Sequence, residues 1–198
     1  MIIQDLFLYF ARFPKKTGVK AMATMGSSEM PEYATLMDAL DALPTESLVP
    51  DIDHYVYGQS IDDLKIRLDK LIGTWLYADY GEITSMDDKG SMEVTLRIAV
   101  TVAMRLRSNA DMLERMIASD RTLGLLSHVQ AHIIADADNG QMDWLSRGSL
   151  RKTETIPFVA SELGSYGWTL LIDASAPDTL GTNGLARSYR NRITLNNE

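Results

Sequence analysis

The sequence predicts an α+β fold in which an antiparallel sheet built from two hairpins carries helices on one face. The first observation is a period of two over residues 92–107, where eight apolar residues alternate with polar or small ones. The second is a pair of turn signals, at residues 86–90 and 164–167, each between two β-rich runs. The third is helical spacing of apolar residues before and between these hairpins.

Composition limits the class of protein. The 198 residues fit one domain with extensions, and 45% apolar residues can form a core. The absence of cysteine excludes disulfides, zinc–thiolate sites and thiol nucleophiles. A net charge of −8 argues against a general nucleic-acid binder. With no signal-peptide pattern in residues 1–13 and no long apolar run, we expect a soluble protein that stays in the cytoplasm where it is made.

Three regions are predicted along the chain. Residues 1–58 form an N-terminal helical and loop extension, residues 59–181 the α+β core domain, and residues 182–198 a polar C-terminal tail. Within the extension, apolar spacing predicts helices over residues 2–10 and 33–43. Residues 14–31 are predicted to be a long loop and residues 45–58 irregular.

The core domain is predicted to start with a helix over residues 60–72, capped by Ser60 and Asp63. The first hairpin joins residues 74–84 to the strand at 92–106, and a helix follows from a cap formed by Ser108 and Asp111. Its apolar stripe shifts phase after Asp120, which predicts one kinked helix or two consecutive ones. Residues 142–150 are read as an extended stretch or edge strand, and residues 155–163 and 168–174 as the second hairpin. Four methionines lie at predicted core positions: Met92, Met104, Met112 and Met116.

One helix face carries a possible metal site. His128, His132 and Asp136 are spaced at i, i+4 and i+8, so neighbouring turns present potential ligands. A metalloprotease helix would carry Glu after its first His, where Val129 stands. An ordinary polar helix face is the simpler interpretation. We therefore predict no catalytic, metal-binding or cofactor-binding residue and no cofactor.

Other candidates have similar simple explanations. Asp51, Asp53 and His54 form a small acidic cluster that we assign to a solvated loop. Residues 136–140 resemble a calcium loop but lack its glycine and its final acid, so a helix end explains them better. No phosphate-binding glycine loop or GxSxG elbow occurs. Six basic residues could bind nucleic-acid phosphates, but salt bridges between subunits are the simpler interpretation. They are Arg147, Arg151, Lys152, Arg187, Arg190 and Arg192.

Residues 60–178 resemble the small α+β proteins of tailed-phage necks, namely tail terminators and head–tail completion proteins. Four patterns carry the resemblance: the helix at residues 60–72, the strand at 92–106, the helix at 111–134, and the closing hairpin at 157–174 with its Tyr166-Gly-Trp168 turn exit. The residues before Pro50 have no counterpart in that group.

The resemblance implies a non-enzymatic structural protein of a phage neck or tail, whose oligomeric ring joins or terminates the tail. Its partners would be further copies of itself and neighbouring neck or tail proteins, with no membrane and no sequence-specific nucleic acid. It would lie in the virion, assembled in the bacterial cytoplasm. We expect inter-subunit contacts from the tail, at Arg187, Tyr189, Arg190 and Arg192. The alternatives are a cytoplasmic partner-binding or regulatory module and, more remotely, a hydrolase using His128, His132 and Asp136.

Overall fold

The computed structural model describes residues 2–23, 28–58, 72–88, 91–142 and 144–177. The helices in these ranges are α1 (Ile2–Phe10), α2 (Lys16–Ala23), α3 (Pro31–Ala42) and α4 (Met112–Asp138). The strands are β1 (His54–Gly58), β2 (Thr74–Asp88), β3 (Ser91–Arg105), β4 (Glu154–Ala160) and β5 (Ser165–Pro177). Short 3-10 helices span Ser149–Arg151 and Ser161–Leu163.

The five strands form one mixed sheet in the order β1-β2-β3-β5-β4. The pairs β2–β3, β3–β5 and β5–β4 are antiparallel, but β1 lies parallel to β2. The α+β class and the two predicted hairpins, β2–β3 and β4–β5, are therefore confirmed, but the sheet is mixed rather than fully antiparallel because β1 lies parallel to β2. The alternation of apolar and polar residues could not identify β1, because this strand is only five residues long. Its parallel partner, β2, follows only after a crossover connection. The helix predicted at residues 60–72 falls almost entirely in that connection, outside the described residues.

The long strand predicted from alternation is β3, and it lies at the centre of the sheet. Its residues Val94, Leu96, Ile98, Val100 and Val102 are at most 1% exposed. Strands pair with it on both sides over almost its whole length. The alternation is therefore confirmed, and the burial of every second side chain explains why the register is firmly defined.

Helices contact both faces of the sheet, but they cover the second face only in part. On the face of Val100, the main core joins strand residues to α1 and α4, with Phe10 and Val129 fully buried. On the other face, a smaller cluster surrounds Trp75 and includes Met22 of α2. The prediction that helices pack on one face is therefore too simple, because α2 contributes to the opposite side.

The N-terminal region is more ordered than the sequence suggests. Residues 16–23, predicted as part of a loop, form helix α2, whereas the helices predicted at residues 2–10 and 33–43 correspond to α1 and α3. Gly18 lets α2 approach β1 closely, because a Cβ there would overlap the carbonyl oxygen of Asp53. The described part of residues 1–58 shares the main core with the sheet, through Leu6, Phe10, Phe13, Val19 and Leu40.

Helix α4 runs without a break for 27 residues. Its N-cap is Asp111, whose side chain accepts a hydrogen bond from the backbone N of Glu114 at 2.8 Å. Of the predicted cap pair, Asp111 rather than Ser108 is the N-cap, and of the two alternatives for this segment the structure excludes two consecutive helices. The apolar stripe shifts phase after Asp120 for a different reason. The apolar residues before Asp120 face solvent, whereas those after it face the core.

Two smaller expectations also change. The described residues of the stretch 142–150 form turns and a 3-10 helix rather than an edge strand, and Met142, Trp144 and Leu145 are buried in the main core. Within the described ranges, no helix combines the length and apolarity needed to cross a membrane.

Candidate interaction surface

The N-terminal half of α4 exposes four large apolar side chains. Met112 is 78% exposed, Leu113 56%, Met116 59% and Ile117 63%. This overturns the assignment of Met112 and Met116 to the core. The same side of the helix continues through the exposed residues Gly124, Ser127, Ala131 and Ala135. We call these eight positions the outer face of α4.

The outer face is held in place by contacts on the rest of the helix. The core side of α4 buries Leu126, Val129 and Ile133 against the sheet. The indole nitrogen of Trp168 donates to the carbonyl oxygen of Ser119 at 3.0 Å, which joins α4 to β5. An exposed ion pair between Arg107 and Glu114, at 2.6 Å, lies beside the N-cap. The apolar side chains are therefore presented from a helix with a defined position.

The C-terminal half of the outer face carries little charge. From Thr122 to Ala137 the helix contains no Lys, Arg or Glu, and its one Asp, Asp136, is buried. A helix whose outer side meets only water normally carries charged residues there. Exposed apolar side chains next to an uncharged helix surface are typical of a contact surface.

Strand β4 extends the apolar surface beyond α4. It is an outer strand of the sheet, and on the side of α4 it exposes Val159 at 60%. Val159 pairs with Tyr166, whose ring lies 5.3 Å from the guanidinium carbon of Arg115 in α4. Pro157 in this strand lacks an N–H, a common feature of outer strands.

The structure does not assemble a metal site from His128, His132 and Asp136. Asp136 accepts a hydrogen bond from the Tyr9 hydroxyl at 2.9 Å and lies 3.5 Å from Arg12. His128 is exposed, and His132 packs against the Phe13 ring. Among the residues whose placement is described, no three His, Asp or Glu side chains lie close enough to hold a metal ion together.

The Tyr9–Asp136 pair lies beside a cleft of about 340 Å³ that α1 forms with Gln141, Met142 and Trp144. Burial, together with the Asp136 carboxylate, raises the pKa of Tyr9 far above its usual value. The phenol therefore stays protonated and donates to Asp136. Because Arg12 also stacks on the Tyr9 ring, this polar group joins α1 to α4.

The residues of the acidic cluster at 51–54 have different environments and different contacts. Asp51 is exposed on a turn. Asp53 accepts hydrogen bonds from Lys15 Nζ at 2.6 Å and from the backbone N of Thr74 at 3.1 Å. Burial opposes ionisation of Asp53, but these two hydrogen bonds outweigh it and lower its pKa. Asp53 does lie in the loop before β1 and is partly exposed, but its side chain has a structural role, because it joins Lys15, which precedes α2, to the start of β2.

A second cleft, of about 330 Å³, is lined by Lys15, Lys16, Lys20 and nearby hydroxyl groups. Each lysine already has a partner. Lys16 Nζ donates to the carbonyl oxygens of Asp41 and Leu43, Lys20 pairs with the Asp41 carboxylate, and Lys15 pairs with Asp53. These contacts were not predicted from the sequence, because the lysines lie in a stretch without helical periodicity that was expected to be a loop. Their pairing indicates that they join α2 to α3 and β1.

Only some of the basic residues proposed for phosphate binding or salt bridges lie within the described residues. Arg147 pairs with Asp138 at 3.1 Å within the protomer, while Arg151 and Lys152 are exposed. Gly140, with φ +64°, follows the C-cap of α4. Residues 136–140 are therefore the end of a helix, as predicted, rather than a calcium loop. The residues expected to contact neighbours, Arg187, Tyr189, Arg190 and Arg192, lie outside the described residues.

Comparison of the chain with protein-family models, with curated proteins and with solved structures found no match.

Proposed function

We propose that this protein is a non-enzymatic assembly subunit that forms a homo-oligomeric ring at the neck or tail of a tailed phage. The observation that carries the proposal is the outer face of α4, where Met112, Leu113, Met116 and Ile117 are exposed on a firmly held helix. Burying such a side chain contributes roughly 1.5–3 kcal/mol, so four of them supply a substantial part of an association free energy.

The sheet provides a second kind of contact. Its two outer strands, β1 and β4, lie at opposite ends of the strand order. A contact between β4 of one protomer and β1 of the next is head-to-tail, and such contacts form a ring when the rotation closes. The C-terminal tail, with Arg187, Tyr189, Arg190 and Arg192, is proposed to lie on the neighbouring protomer.

Native mass measured by light scattering over a range of protein concentrations tests the ring. We expect a species of discrete high mass, or a monomer that forms one when a neck or tail component is added. Deleting residues 182–198 should leave the monomer folded, as judged by circular dichroism, and should weaken the ring. Normal assembly of the truncated chain would show that the tail contact is wrong.

A partner-binding module is the second candidate, because a helix face with exposed apolar side chains can also hold a different protein. A monomer or dimer whose mass does not change with concentration or with phage components would favour this function over the ring. Elemental analysis of the same sample tests the hydrolase alternative, which requires a transition metal bound in proportion to the chain.

A further inference from the structure

The two halves of the outer face of α4 differ in shape. The N-terminal half is bulky, with Met112, Leu113, Met116 and Ile117, whereas the C-terminal half has only small side chains, at Ser127, Ala131 and Ala135. Gly124 lies between them, and a Cβ built there would meet no described atom within 4 Å. Glycine destabilises a helix interior relative to alanine, so its own protomer offers no packing reason for Gly124.

We propose that the outer face of α4 packs against the same face of a second copy, antiparallel, with the two-fold axis passing near Gly124. This rests on the proposed function, since it takes α4 as an assembly contact, and it names the partner of that surface. In this register Leu113 of one copy faces Ala135 of the other, and Ile117 faces Ala131. Each bulky half is thus seated on the small half of the other helix, and the two glycines allow the helices to approach closely.

The polar residues near the axis agree with this register. Asp120 and His128 are both exposed, and they lie four residues to either side of Gly124. In the antiparallel pair, Asp120 of each copy lies level with His128 of the other, so an imidazole N–H can donate to each carboxylate and the contact is made twice. The pairing therefore offers each of these carboxylates a hydrogen-bond donor, in addition to the complementary shape of the two halves.

The length of α4 sets the size of the contact. At 27 residues it is about 40 Å long and about 10–12 Å wide. Pairing along its whole length therefore buries on the order of 400–500 Å² per copy, close to the lower limit of about 1,000 Å² in total for a specific interface. Such a contact gives a weak dimer alone. Combined with the head-to-tail contacts of a ring, it would join protomers, or whole rings, in two-fold pairs.

Cysteine cross-linking tests the register directly, because the chain has no cysteine of its own. Under mild oxidation, Gly124→Cys should form a covalent dimer. Ile117→Cys alone and Ala131→Cys alone should not, but an equimolar mixture of these two variants should cross-link. Asp138→Cys, at the end of the helix, is the matched control and should remain uncross-linked. Rapid cross-linking of Ile117→Cys with itself would overturn the antiparallel register.

Variants at the axis provide a second test without oxidation. At concentrations where the protein is monomeric, Gly124→Ala should raise the melting temperature by about 2–4 °C, because alanine favours the helix and its Cβ has open space within one protomer. Gly124→Leu keeps the helix but adds bulk where the helices approach most closely, so it should weaken self-association at least about tenfold. Self-association of Gly124→Leu as tight as that of the native chain would overturn the proposal.

The two proposals can fail separately. Covalent Gly124→Cys dimers in a protein that never exceeds the mass of a dimer would sustain the helix pairing and contradict the ring. A ring of the expected mass in which neither Gly124→Cys nor the mixture cross-links would sustain the ring and contradict the pairing.

Discussion

At the scale of single residues, Asp53 shows how one carboxylate connects distant parts of the chain. It accepts hydrogen bonds from Lys15, which is 38 positions away, and from the backbone of Thr74. Gly73, with φ +106°, lies against the same carboxylate, where a side chain at position 73 would collide with it. The connection into β2 therefore depends on both the charge of Asp53 and the glycine beside it.

Asp53→Asn should lower the free energy of unfolding by about 1–2 kcal/mol at pH 7, because the hydrogen bonds to a charged group are weakened. The folded pKa of Asp53 is below its unfolded value, so this contribution is present above about pH 4 and is lost as the pH falls through the folded pKa. Denaturant unfolding at several pH values measures it. Asp51→Asn, at an exposed turn, is the control and should have little effect. An equal loss at every pH would contradict the electrostatic explanation.

At the scale of elements, the pairing of β3 with β5 depends on the absence of a side chain at Gly167. A Cβ at that position would overlap the carbonyl oxygen of Val102 and lie 2.5 Å from the Cα of Ala103. These are backbone atoms of the central strand, so they cannot move without disturbing the ladder. The close approach of the two strands thus requires glycine for steric reasons.

Gly167→Ala should therefore destabilise the protein by about 1–3 kcal/mol, the usual range for overpacking. Gly58→Ala in β1 is the matched control, because a Cβ there meets nothing within 4 Å among the described atoms, and it should be close to neutral. Thermal unfolding of the two variants compares them. Equal melting temperatures would contradict the steric role of Gly167.

At the scale of the whole molecule, the N-terminal helices and the sheet share one core. Phe10 of α1 is fully buried in the same cluster as Leu126 and Val129 of α4 and Val100 of β3. The Tyr9–Asp136 hydrogen bond joins the same two helices. Because these contacts connect the first residues of the chain to its centre, the described N-terminal region should unfold together with the sheet.

Phe10→Ala should lower the free energy of unfolding by about 3–5 kcal/mol, because it leaves a cavity in this shared core. Circular dichroism and tryptophan fluorescence should report a single coincident transition in both the native chain and the variant. Met30→Ala, whose side chain is 71% exposed, is the control and should change little. Separate transitions for the helices and the sheet would contradict a shared core.

The sequence by itself determined the elements whose evidence is local. The alternation from Met92 to Leu106 identified β3, because burial of one face requires a period of two in the residues themselves. The antiparallel β2–β3 and β4–β5 pairs followed from turns between adjacent runs. The outer face of α4 could not be predicted from local patterns, because the apolar residues at the start of this helix have the same spacing as core residues.

Only the tertiary structure decided what covers each face. Helical spacing shows that Met112, Met116 and Ile117 share a side of α4, but it does not show whether that side meets the sheet or solvent. The parallel pairing of β1 with β2 and the contact of Lys15 with Asp53 were hidden for the same reason. A local pattern specifies which residues act together, whereas the neighbour they meet depends on where distant segments of the chain pack.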